Sequence, residues 1–212
     1  MGKMVAILLL SLISAGVCAQ TDWQLKKEED GIKVFTANTP NSNFKSVKVE
    51  CIVKARPSQL VAFLMDVERQ HDWIYNNKSA RVVKKIGENE IIAYSEYSVP
   101  WPCCNRDYVA HVVINQQTPQ LITIDSHAEP DMLPVKQGRV RVKRSVSHWE
   151  VIALSNELLK IVYTVQCDPA GSIPAWLTNM FVAKGPYQTF QKLRDEVAKS
   201  PYQNVHLAFI KE

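Results

Sequence analysis

The side chains that could do chemistry are few and widely spaced. Cys18, Cys51, Cys103, Cys104 and Cys167 include one adjacent pair but lack the two-residue spacing of a zinc knuckle, and none of His71, His111, His127, His148 and His206 follows another at i+4. That spacing disfavours a metal centre. The 7 glycines stand apart from one another, so neither G-x-G-x-x-G nor G-x-x-x-x-G-K-[ST] can be written, and G-x-S-x-G and H-E-x-x-H are missing too. Nucleotide-dependent and common hydrolytic chemistries are thereby set aside, and no residue is singled out as catalytic. What remains is Arg106-Asp107 just after the turn Val99-Pro100-Trp101-Pro102, and a cationic run, Lys136, Arg139, Arg141, Lys143 and Arg144, with no acid inside it. A buried arginine can hold a carboxylate, phosphate or hydroxyl by charge-assisted hydrogen bonds, or can form an ion pair, here with Asp107 or Glu96. The cationic run reads as a solvated sheet face or as a docking patch for anionic lipid headgroups, making a possible transient contact with a membrane surface.

Composition bounds what can position these groups. Hydrophobic residues make up 46% of 212, and the net charge is +4, or +3 without Lys3, which is too mild for a polyanionic partner such as nucleic acid. Lys3, the apolar run Met4 to Ile13 and the small residues before Val17-Cys18-Ala19 read as a secretory signal peptide over residues 1–19, cleaved before Gln20. Lipidation at Cys18 is the weaker alternative. Residues 20–212 contain no repeat or linker and are expected to form a single domain, exported to the periplasm or secreted.

Periodicity then sorts the chain. Strands are expected at 32–36 and 45–54, and a helix from Pro57 carries Leu60, Val61, Leu64 and Val67 on one stripe. Further antiparallel strands are expected at about 80–86, 90–98, 107–116, 121–127, 139–153 and 158–167. A long amphipathic helix from Ser172-Ile173-Pro174 bears Trp176, Met180, Ala183, Tyr187, Phe190, Leu193 and Val197, with a bend at Gly185-Pro186 that follows the sheet or marks a hinge. The fold class is α/β of the α+β kind: a curved antiparallel sheet around a C-terminal helix, with room for an apolar cavity between them.

Val99-Pro100-Trp101-Pro102 leading into Asn105-Arg106-Asp107-Tyr108-Val109, and Cys167-Asp168-Pro169-Ala170-Gly171 before Ser172-Ile173-Pro174-Ala175-Trp176, resemble the START domain family of StAR-related lipid-transfer proteins, most closely its short bacterial exported type. Trp23, Asp30-Gly31-Ile32-Lys33-Val34, Asp66-Val67, Trp73, Gly138-Arg139-Val140-Arg141 and Trp149 support the match, which spans about residues 22–199. The resemblance implies a helix-grip module that binds one lipid or other hydrophobic molecule in a tunnel under the C-terminal helix, for storage or transfer, without catalysis and without a cofactor. It also implies Arg106 in or at the cavity and Trp101 on the preceding loop. Arg106, Trp101, Asp107 and Trp176 are the expected ligand-binding residues, although for either tryptophan plain core is the commoner role of such a ring. Cys103-Cys104 departs from the family pattern.

Other readings stay open. The wider helix-grip superfamily includes aromatase/cyclase-like enzymes. Tyr94, Tyr97, His111, His127 and Tyr163 lie on strands, but period-two counting cannot tell which face is interior. The tail residues Val205, Leu207, Phe209 and Ile210 could contact a protein partner. The even set Cys51, Cys103, Cys104 and Cys167 permits disulfides, most reasonably Cys103 or Cys104 with Cys51 or Cys167, or else buried free thiols.

Overall fold

Asp30 and Gly31 both take left-handed backbone angles, φ 51° and 72°, so the chain reverses tightly between β1 (Gln24–Glu29) and β2 (Ile32–Ala37). This is the first hairpin of a computed structural model that describes residues 21–40, 42–171, 173, 177, 180–199 and 201–212. The expected leader and Trp176 lie outside the described residues. β1 was not expected from the pattern, because Gln24-Leu25-Lys26-Lys27-Glu28-Glu29 buries neither face and shows no alternation.

After β3 (Ser46–Lys54) comes α1 (Pro57–Met65), which starts on a proline whose missing N–H has no intrahelical partner to lose. A 3₁₀ turn and the short α2 (Gln70–Trp73) lead into β4 (Asn77–Lys85), β5 (Glu90–Tyr97), β6 (Asn105–Thr118) and β7 (Leu121–Ala128). The expected strand 139–153 is two elements. β8 (Arg139–Arg141) runs parallel to β6, the Val142 N–H then donates to the Asp107 carbonyl at 2.9 Å, and β9 (Arg144–Ser155) starts antiparallel to β7. β10 (Leu158–Asp168) closes the strand list. Among the described residues the sheet is ten-stranded, in the order β1-β2-β3-β10-β9-β7-β6-β5-β4, with β8 off this path on β6. Its edge β4 is blunted by Lys78, Arg81, Lys84 and Lys85.

The C-terminal helix departs from a simple bend. A π-helical turn over Met180–Lys184 runs directly into α3 (Gly185–Val197), whose first turn contains Pro186. A proline here cannot donate to the Val182 carbonyl, and widening the preceding turn relieves the clash its ring would make. Tyr187, Phe190, Leu193 and Val197 bury one stripe of α3 against β2, β3 and β10, in a core with Val34, Val49, Val53, Leu60, Leu159 and Ile161. Two bonds pin the helix to the first hairpin: the Tyr187 hydroxyl donates to the Asp30 carboxylate at 2.8 Å, and Arg194 donates to the Asp30 carbonyl at 2.5 Å.

The tail folds back on the body instead of standing free. Arg56 donates to the carbonyls of Gln203 and Val205, Gln116 bonds Lys211 in both directions at 2.8 and 2.7 Å, Ile210 is buried, and Leu207 and Phe209 pack against the core. Of the two readings left open for the cysteines, the structure has Cys51, Cys103, Cys104 and Cys167 as free thiols, with Cys51 buried and Cys104 and Cys167 exposed.

Candidate functional site

Strand register decides which side chains face the helix. Trp149 and Tyr163 oppose each other on β9 and β10, and both rings lie against Phe190 of α3, at 5.3 and 5.5 Å between centroids. Stepping by two along each strand from that pair puts Ser145, Ser147, Val165 and Cys167 on the same face. Ser126 opposes Ser147 and Val112, which carries the face to Tyr108 and Arg106 on β6 and to Ser95 and Tyr97 on β5.

The helix-facing surface is therefore divided. At one end aliphatic side chains pack solidly under α3. At the other it carries three phenols with a fringe of hydroxyls: Tyr108 lies 3.3 Å from Ser126, and Ser95 donates to Gln70 at 3.0 Å. Tyr97, Tyr108 and Tyr163 keep accessible surface, yet burial pushes all three phenols up, Tyr97 to about 12. Cys167 behaves alike: its side chain is accessible, and burial raises the thiol to about 11 against a bond from Ser145. Asn77 is buried and paired with Tyr97 across the strands, where its amide works against the burial that pushes the phenol up. Sequence reasoning had no signal for the hydroxyls of Ser126, Ser145 and Ser147, whose common face depends on long-range register.

Arg106 is buried and on this face, but neither Asp107 nor Glu96 is its partner. It donates from Nε to the Pro169 carbonyl at 3.2 Å, from Nη1 to Cys104 at 2.5 Å and from Nη2 to Ala170 at 3.1 Å. Ala170 (φ 56°) and Gly171 (φ 69°) are both left-handed, a conformation that costs a side-chain-bearing residue. The loop is held in it by Arg106 from one side and by the Ala170 N–H donating to Asp168 at 2.9 Å from the other. A Cβ at position 171 would lie 3.7 Å from the guanidinium. Arg106, Val140 and Gly171, with Pro102, Cys103, Cys104 and Ile173, line an open groove of about 580 Å³.

Asp107 points the other way and is wholly buried, taking Arg141 Nε and Nη2 at 2.9 Å each. Arg141 spends its other three N–H groups on the carbonyls of Pro130, Leu133 and Pro134, so all five donors are used. The cationic run is accordingly not one surface. Arg141 is buried, Arg139 pairs with Glu96 at 2.8 Å, and the Lys136 ammonium sits over the Tyr94 ring at 4.4 Å. Lys143 and Arg144 are exposed, Arg144 reaching Asp168 at 2.6 Å.

Trp101 is 90% exposed and so is not core; it stands on the loop beside the groove without lining it. Tyr94, His111 and His127 lie on the outer face, away from the phenols.

These features, a sheet gripping one helix with a hydroxyl-lined stretch between them, define a helix-grip protein. The START domain family model matches residues 12–201, and the chain belongs to that family. An uncharacterized Pseudomonas aeruginosa protein is 31% identical over 185 residues, 87% of this chain and 91% of that one. The phosphatidylcholine transfer protein of Mus musculus is 26% identical over 177 residues, 81% of each. The crystal structure of a STAR-related lipid transfer protein fragment from Xanthomonas axonopodis superposes with a TM-score of 0.77 at 30% identity, covering 84% of this chain and 99% of that one. An aromatase/cyclase from Streptomyces shares the fold alone, at a TM-score of 0.53 and 12% identity.

Proposed function

We propose that this protein binds one amphipathic lipid between the sheet and the C-terminal helix and carries it without changing it. The observation that carries the reading is the pairing of accessible surface with strong desolvation at Tyr97, Tyr108, Tyr163 and Cys167. Polar side chains that keep accessible surface on the helix-facing side of the sheet, and whose charged forms burial disfavours, suit the walls of an interior space. The ligand's chain lies along Trp149 and Tyr163. Its polar head meets the hydroxyl fringe and Arg106, whose three carbonyl bonds leave two of five N–H groups without a partner among the described residues. Asp107, saturated by Arg141, supports β6 and does not contact the ligand.

Phenols whose pKa is raised stay protonated at neutral pH and donate hydrogen bonds, which suits holding a ligand better than abstracting a proton from one. Exposed Trp101, with Lys143 and Arg144, meets the membrane from which the ligand is drawn, a tryptophan being suited to the headgroup boundary. The leader expected over residues 1–19 supports a place of work outside the cytoplasm, in the periplasm or beyond. The likeness to phosphatidylcholine transfer protein supports a phospholipid-sized ligand.

Native mass spectrometry of the protein purified from its own compartment, repeated after solvent extraction, tests the proposal. A stoichiometric lipid is expected. A protein that arrives empty and takes up no fatty acid, sterol or phospholipid overturns it.

A further inference from the structure

The outer face of the sheet holds a cluster that the lipid reading does not use. His111 on β6 and His127 on β7 are directly opposed across the strands, their rings edge to face with centroids 4.9 Å apart. Glu129, one residue past the end of β7, brings a carboxylate oxygen 3.0 Å from His127 Nε2, and Glu90 at the start of β5 brings one 2.6 Å from His111 Nε2. One donor atom from each of His111, His127 and Glu129 lies within 4.8 Å of the other two.

We propose that His111, His127 and Glu129 form a zinc site, with Glu90 orienting the His111 ring. The donor set is two imidazoles and a carboxylate, with a second carboxylate behind one imidazole, the arrangement by which proteins fix a metal-binding histidine. Imidazole selects first-row transition ions over calcium and magnesium, and two carboxylates balance the charge of a dication. Tetrahedral zinc at about 2.0–2.1 Å from each ligand holds its donor atoms roughly 3.3 Å apart, so the set must draw in from 4.8 Å overall while the 3.0 Å contact of His127 with Glu129 opens slightly. The half-exposed side chains of His127 and Glu129 are free to make that rotation, while the backbone positions are already set by the β6–β7 register. Three ligands leave the fourth position to water.

The site lies on the face opposite the phenols, so it is independent of lipid binding. A metal there ties β6 and β7 to the start of the segment that wraps Arg141: the Glu129 N–H already bonds the Val109 carbonyl at 2.9 Å, and Pro130 follows it.

Calorimetric titration of the untagged, metal-stripped protein with zinc chloride tests the proposal. One zinc per chain is expected, and His127→Asn and Glu129→Gln, both at accessible positions, should each weaken binding by at least about tenfold. His148→Asn, which alters the histidine opposite Asp125 on the neighbouring strand pair, should leave it unchanged. Absence of saturable zinc binding, affinity retained in His127→Asn and Glu129→Gln, or an equal loss in His148→Asn overturns the assignment.

Discussion

Arg106 and Asp107 are neighbours in the chain that face opposite sides of β6 and do not pair: Arg106 gathers the carbonyls of Cys104, Pro169 and Ala170, while Asp107 is held in a two-pronged bond by Arg141. Strand alternation separates them, and the two halves of the motif do different work. One shapes the groove; the other locks the crossing segment 129–138 onto the outer face.

The Arg141 pair is buried on both sides, so removing one partner strands a charge. Arg141→Ala should lose roughly 3–5 kcal/mol in urea unfolding, as should Asp107→Ala. The double variant should lose much less than the sum of the two, since both replacements act on one interaction.

Arg106→Ala frees three carbonyls and a loop held in left-handed angles. We expect a stability loss of about 1–3 kcal/mol, with lipid occupancy in native mass spectra falling further than that loss explains. Arg106→Lys, a point charge lacking the planar fork, should restore little of either.

Trp101→Ala should leave urea stability within about 0.5 kcal/mol, because the ring is almost fully exposed. Co-sedimentation with anionic vesicles should drop. A large stability loss would place the ring in the core after all.

The Glu96 carboxylate is held below its ordinary value by its hydrogen bond to Arg139, with burial pulling the other way and Asn105 and Lys78 adding to the lowering. A carboxylate depressed in the folded state adds stability above its unfolded value and loses it as pH falls through the folded one. Stability of the wild type should therefore decline as pH drops below about 4.5, and Glu96→Gln should flatten that decline in pH-dependent melts.

Thiol labelling should sort the cysteines by environment. Exposed Cys104 should react with iodoacetamide first, and Cys51 last, because burial pushes its thiol up to about 12. Cys167 has accessible surface but a raised thiol, so it should label slowly and be protected further by bound lipid. Peptide mass spectrometry of a timed reaction reads all three.

Local patterns revealed most of the architecture. Alternation in Val47, Val49, Cys51 and Val53 and the stripe Tyr187, Phe190, Leu193, Val197 depend only on neighbours in the chain, and both segments fold as the pattern predicts. What alternation misses is what another segment supplies. The run Arg139 to Arg144 reads as an outer face, but the crossing segment and Asp107 bury Arg141 in the middle of it. The phenol and hydroxyl wall is likewise assembled from five strands, and His111 meets His127 only through register.

The placement of β10 has a consequence for how the molecule is made. β1, β2 and β3 join the rest of the sheet only through β10, with Leu158 paired to Lys54. Until that late strand is available, β3 has an open edge and the first hairpins have no partner to cover it. The N-terminal third therefore has no separate folded state to reach, and contacts this distant along the chain are slow to form. Any truncation that removes β10 divides the molecule into two sheets, one ending on β3 and the other on β9, each with a row of unpaired backbone groups.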